Sequence, residues 1–106
     1  MFTKQQWTTI KNSYPKAHKE FGEWMDLPSR LFSMFKLRDL YDFFDEKCIY
    51  VTVDYQPSEQ TWNTKIYKSG DNKRNYSSGH RDRDAAELCI FKEAFRILQE
   101  KLEGEK

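Results

Sequence analysis

The apolar residues of this chain change their spacing twice. Up to Lys47 they recur three and four residues apart, from Cys48 to Lys68 they alternate, and from Asp84 to Leu102 the wider spacing returns. Side chains repeat every 3.6 residues on a helix and every two on a strand, so the order dictates helices, a small sheet, then a helix. With 106 residues there is room for one domain and one core. The expected fold class is therefore α+β: N-terminal helices followed by a small antiparallel sheet of two or three strands, packed against a long C-terminal helix. Residues 1–36 form its helical N-terminal part, 37–103 an α-β-β-(β)-α unit, and 104–106 a frayed tail.

Local signals place the elements. Thr3 and Gln6 have capping-box spacing ahead of Trp7, Ile10 and Tyr14. Pro15 interrupts that helix but suits the first turn of another, so Ala17, Phe21, Trp24 and Met25 continue either one kinked helix or a second short one. A further helix is expected over Leu31–Lys47, bent near Lys36, with Arg38, Asp39, Asp42, Asp45 and Glu46 outermost. Ile49, Val51, Val53 and Tyr55 then share one face of a strand, and Trp62, Thr64 and Ile66 one face of its hairpin partner. Lys73–Ser78 supplies a candidate third strand after the Ser69–Asn72 turn. In the last helix Leu88, Phe91, Phe95, Leu98 and Leu102 belong to an apolar arc wider than half the circumference, with Asp84 and Glu87 spaced as a capping pair.

Composition excludes whole classes. Mean hydropathy is −0.94 and no stretch approaches the ~20 apolar residues of a membrane span, so no membrane is expected as a partner. The Met1-Phe2-Thr3-Lys4 start lacks a secretory pattern, which predicts a cytoplasmic protein with Cys48 and Cys89 as reduced thiols. Net charge is +1, yet the segments 1–36, 37–60, 61–83 and 84–106 carry +3, −4, +4 and −2. No global field therefore steers the chain toward polyanions.

The motifs that carry chemistry are missing. His18, His80, Cys48 and Cys89 match no zinc spacing, and Asp39, Asp42, Asp45 and Glu46 lie on a helix without the wrapping loop a hard cation needs, so no metal is expected. No nucleophile elbow or Cys/His signature is present, and Gly22, Gly70, Gly79 and Gly104 stand apart rather than forming a phosphate cradle. No catalytic residue and no cofactor is assigned. Glu87 falls inside the apolar arc, where it reads either as a buried acid or, more simply, as the reciprocal partner of an Asp84 cap.

Two functions of different class remain. The first is a non-enzymatic interaction module whose partner is another protein or a second copy, because the N-terminal third holds more large apolar groups than short helices need. Trp7, Tyr14, Phe21, Trp24 and Met25 are its candidate contacts, along with Phe2, Phe32, Met34 and Phe35. The alternative is a nucleic-acid-binding module using Lys65, Tyr67, Lys68, Lys73, Arg74 and Arg83, where cations alternate with stacking rings.

Two resemblances bear on this choice. The order of elements over 37–103, with Ser78-Gly79-His80-Arg81-Asp82-Arg83-Asp84-Ala85-Ala86-Glu87 opening the last helix, resembles the double-stranded-RNA-binding domain. That resemblance implies a phosphate-contacting helix start, and here Asp82, Asp84 and Glu87 stand at or beside the places of the family's lysines. The run Leu40-Tyr41-Asp42-Phe43-Phe44-Asp45-Glu46-Lys47 before a strand pair, closed by a helix running from Arg83-Asp84-Ala85-Ala86-Glu87 to Phe95-Arg96-Ile97-Leu98-Gln99, resembles small uncharacterised phage and prophage proteins. It implies a bacterial cytoplasm and brings no catalytic residues.

Overall fold

The computed structural model describes residues 3–26, 36–68 and 74–104. In chain order these form α1 (Lys4–Ser13), α2 (Pro15–Met25), α3 (Leu37–Glu46), β1 (Ile49–Gln56), β2 (Thr61–Lys68), β3 (Arg74–His80) and α4 (Arg83–Gly104). The fold is α+β: N-terminal helices come first in the sequence, then a three-stranded antiparallel sheet, then the long last helix.

Each helix boundary has a local cause. The Thr3 hydroxyl accepts from the Gln6 amide at 3.1 Å while the Gln6 side chain accepts from the Thr3 amide at 2.8 Å, so two orphan donors are met reciprocally. At Tyr14 the backbone leaves the helical region (φ −133°, ψ 64°), as expected for a residue ahead of proline, and Pro15 opens a new helix. There are thus two helices rather than one with a kink. α2 ends on Asp26 in the left-handed conformation (φ 53°), one of the few non-glycine types that adopts it readily.

Two expected boundaries need correction. The helix anticipated over Leu31–Lys47 begins at Leu37: Lys36 is extended (φ −102°, ψ 157°), and its amide donates to the Asp39 carboxylate at 2.8 Å. Residues 31–35 lie outside the described residues. The cap of α4 is Asp82 rather than Asp84, because the Asp82 carboxylate accepts from the Ala85 amide at 2.7 Å and the helix already includes Arg83. Gly104, expected in the frayed tail, is the last helical residue.

The sheet has the order β1-β2-β3. Val51 lies opposite Ile66, Val53 opposite Thr64 and Tyr55 opposite Trp62, which puts the alternating apolar residues of both strands on one face. α4 crosses that face in contact with all three strands, α3 rests on β1, and α2 packs on α4 with α1 against α2. The core is aromatic. Phe95 is fully buried and meets Phe44 at 5.0 Å, Trp7 at 5.6 Å and Phe21 at 6.2 Å between ring centroids, all edge to face. That geometry sets the positive ring edge against a negative face and adds about 0.5–1.5 kcal/mol per pair to the burial itself.

Candidate interaction surfaces

The N-terminal aromatics do not form one exposed patch. Trp7 and Phe21 are core residues, 7% and 0% exposed, because α1 and α2 turn them onto Phe95 of α4. As core residues they are withdrawn from the candidate contacts. Met25 is half-buried against the same core. Trp24 remains 36% exposed, held between Phe21 and Phe43, with its indole N–H donating to the Glu46 carboxylate. Tyr14 lies at the other end of α2, about 15 Å away at 1.5 Å per residue. There it lines an open cleft of about 500 Å³ with Leu88, Cys89, Lys92 and Arg96. Phe2, Phe32, Met34 and Phe35 lie outside the described residues.

The basic stretch is divided between the two faces of the sheet. Lys65 and Tyr67 stand on the face away from α4, where Tyr67 stacks on Tyr50 at 4.9 Å and the Lys65 ammonium lies 3.7 Å from the Asp54 carboxylate. Arg83 is on the helix-bearing side, 5.7 Å over the Trp62 ring and 3.7 Å from Glu87. The two cations therefore do not converge, and each has a carboxylate beside it. Lys68 and Arg74 are placed by backbone pairing alone, opposite Ile49 and Ile66, and Lys73 lies outside the described residues.

Burial shifts the ionisable groups inside the fold. Glu87 is 5% exposed, so burial raises its carboxyl above the ordinary range, and the Tyr41 hydroxyl donates to it at 3.3 Å. The capping role expected for Glu87 is thus replaced by the buried-acid one. Tyr41 in turn is pushed up to about 12, by burial first and then by the Glu87 charge. His18 is 4% exposed against Trp7, and burial with the nearby Lys11 charge lowers it to about 4. In the acidic stripe of α3, Asp39 accepts from the Lys36 amide, Asp42 pairs with Arg38 at 3.7 Å and Glu46 accepts from Trp24. No group of three metal-ligating side chains occurs among the described residues.

Sequence reasoning passed over the edge of the sheet. Among the described residues, β1 pairs only with β2, and none of the other backbone hydrogen bonds engages residues 49–55. Open edges are normally guarded by proline, lysine, a bulge or shortness. β1 has none of these: its eight residues Ile49-Tyr50-Val51-Thr52-Val53-Asp54-Tyr55-Gln56 contain one charge, and the strand pairs in unbroken register. The other edge is different, since the β2–β3 register slips twice and Gly79 takes a positive φ of 79°. Tyr55 is 46% exposed near the end of the unguarded strand, and the buried Thr52 hydroxyl oxygen has no hydrogen-bond partner. The signal was available in the β-branched run itself, read for what it lacks.

No described helix is long and apolar enough to cross a membrane. Compared with known proteins, the chain matches no family model, no curated protein and no solved structure.

Proposed function

We propose that this chain is a non-enzymatic protein-interaction module that engages its partner by main-chain pairing along β1. The carrying observation is the asymmetry of the sheet, with a bulged edge at β3 and a regular one at β1 that no other strand pairs among the described residues. Strand addition draws affinity from backbone hydrogen bonds and specificity from alternate side chains, and residues 49–55 of β1 could supply both. The cytoplasm of a bacterium or of a phage-infected cell is the setting we infer, on the resemblance to small phage and prophage proteins.

The nucleic-acid reading has one observation in its favour, the Tyr50–Tyr67 stack on the outer face. Stacking platforms work beside unpaired cations. Here the neighbouring Lys65 already faces Asp54, so the interaction reading ranks first.

A photo-crosslinking residue in place of Tyr55, used in bacterial cytosol, would identify contacting proteins for reconstitution from purified components. Thr52→Lys, which puts a lysine guard on the edge, is expected to weaken a reconstituted pair about tenfold or more. Tyr14→Ala in the cleft is expected to leave it within about twofold. The reverse pattern would move the contact to the cleft and overturn the proposal.

A further inference from the structure

We infer that Tyr50 and Tyr67 form an oxidative modification site, at which a one-electron oxidant joins the two phenols into a dityrosine that staples β1 to β2. The site lies within the hairpin and is independent of the partner read for β1.

Register makes the pair. Tyr50 stands directly opposite Tyr67 on the face of the sheet away from α4, and their rings stack with centroids 4.9 Å apart and planes 29° from parallel. Directly opposed residues hold their Cβ atoms about 4.5–5.5 Å apart, so the strands themselves keep the two phenols adjacent. Both side chains are half-buried, and each keeps a solvent-facing part that an oxidant reaches. Tyr41 and Tyr55 have different neighbours, Phe91 at 4.9 Å and Trp62 at 5.1 Å, rings that carry no phenol.

The chemistry needs no group beyond the pair and the oxidant. Each phenol gives one electron to the oxidant and its hydroxyl proton to water, leaving two neutral tyrosyl radicals. The radicals couple through one ring carbon ortho to each oxygen, where unpaired spin is concentrated. The new carbon–carbon bond makes each ring a dienone, and transfer of the ortho proton to the oxygen restores both phenols. Two C–H bonds are broken and one C–C bond is formed, with two electrons and two protons released. A haem peroxidase takes up those electrons and protons by reducing one hydrogen peroxide to two waters. Coupling between separate molecules is limited by encounter, whereas a pair held in register needs only small ring rotations, which partly exposed side chains make rapidly. The Cys48 thiol, hydrogen-bonded to the Tyr50 phenol, is a competing reductant, since a thiol returns a hydrogen atom to a tyrosyl radical.

The test treats the full chain with a haem peroxidase and hydrogen peroxide at about 10 µM protein, well below the effective concentration of a linked pair. Expected are the blue emission of dityrosine, a product of monomer size and a yield per chain unchanged by dilution. Tryptic peptides 48–65 and 66–68 should be joined, with fragmentation placing the bond on Tyr50 and Tyr67. Tyr50→Phe and Tyr67→Phe keep the stacked rings but remove a phenol, and each should lower the yield about tenfold or more. Tyr55→Phe, in the same tryptic peptide as Tyr50, should leave it within about twofold. Cys48→Ser, which removes the competing thiol, should raise it. Dityrosine that forms only between molecules, maps to another pair of tyrosines or survives Tyr50→Phe would overturn the inference, as would its absence from the native chain.

Discussion

Gln99 of α4 caps the N-terminus of α2: its side-chain oxygen accepts from the Ala17 amide at 3.0 Å and from the Lys16 amide at 2.8 Å. α2 has no cap of its own, since Tyr14 contributes no side-chain bond and Pro15 has no N–H to satisfy. Gln99 is 8% exposed, and its amide nitrogen donates to Glu103 at 2.7 Å. A polar residue between Leu98 and Leu102 is thereby fully used. Replacing it with methionine keeps the volume and leaves the buried Ala17 amide and the part-buried Lys16 amide unmet, so Gln99→Met should cost about 1–3 kcal/mol in urea unfolding. A change below about 0.5 kcal/mol would show that water replaces the cap at no cost.

Phe95 is the side chain on which the N-terminal helices and α3 converge, through Trp7, Phe21 and Phe44. Phe95→Ala should destabilise by about 3–5 kcal/mol, the sum of lost transfer energy and an incompletely collapsed cavity. Equilibrium denaturation measures it, and a loss under about 1 kcal/mol would contradict the packing described.

Acid should destabilise the fold through His18. Its folded value of about 4 lies below the unfolded 6.5, so the unfolded chain binds the extra proton as pH falls between them. The stability present above pH 6.5 is therefore lost progressively toward pH 4, by an amount on the order of 2–3 kcal/mol. Glu87 acts with the opposite sign, because its raised value favours the protonated form in the fold. Comparing wild type with His18→Gln across that window isolates the histidine, and the variant should show a smaller loss on acidification. Parallel curves would refute the assignment.

Binding of duplex RNA, duplex DNA or single strands should be no tighter than about 100 µM at about 150 mM salt. Lys65 has Asp54 beside it and Arg83 lies across the sheet, so no track of phosphate-releasing cations forms from these two. Micromolar affinity in a shift assay, lost on Lys65→Glu, would restore the nucleic-acid reading.

Periodicity revealed the architecture because Ile49, Val51 and Ile66 can reach one core only by alternating, and Phe91, Phe95 and Leu98 only by helical spacing. Caps were harder to read. Arg81-Asp82-Arg83-Asp84 offers two equivalent carboxylates two residues apart, and the choice of Asp82 depends on where β3 releases the chain. The burial of Trp7 and Phe21 was hidden for a related reason: counting large side chains does not separate core from surface when two short helices pack against a third. Gln99 was hidden for the opposite reason, since one polar residue in an apolar arc has a meaning only once folding brings to it Lys16, 83 positions earlier in the chain.

Because α4 crosses all three strands and carries Phe91, Phe95 and Leu98 into the centre, a helix that follows every other described element in the sequence supplies the surface on which those elements settle. Its 22 residues take about 1–4 s to synthesise at ~5–20 residues per second. Until those residues are made, Phe21, Phe43 and Phe44 and the β1–β2 hairpin lack the helix that covers them.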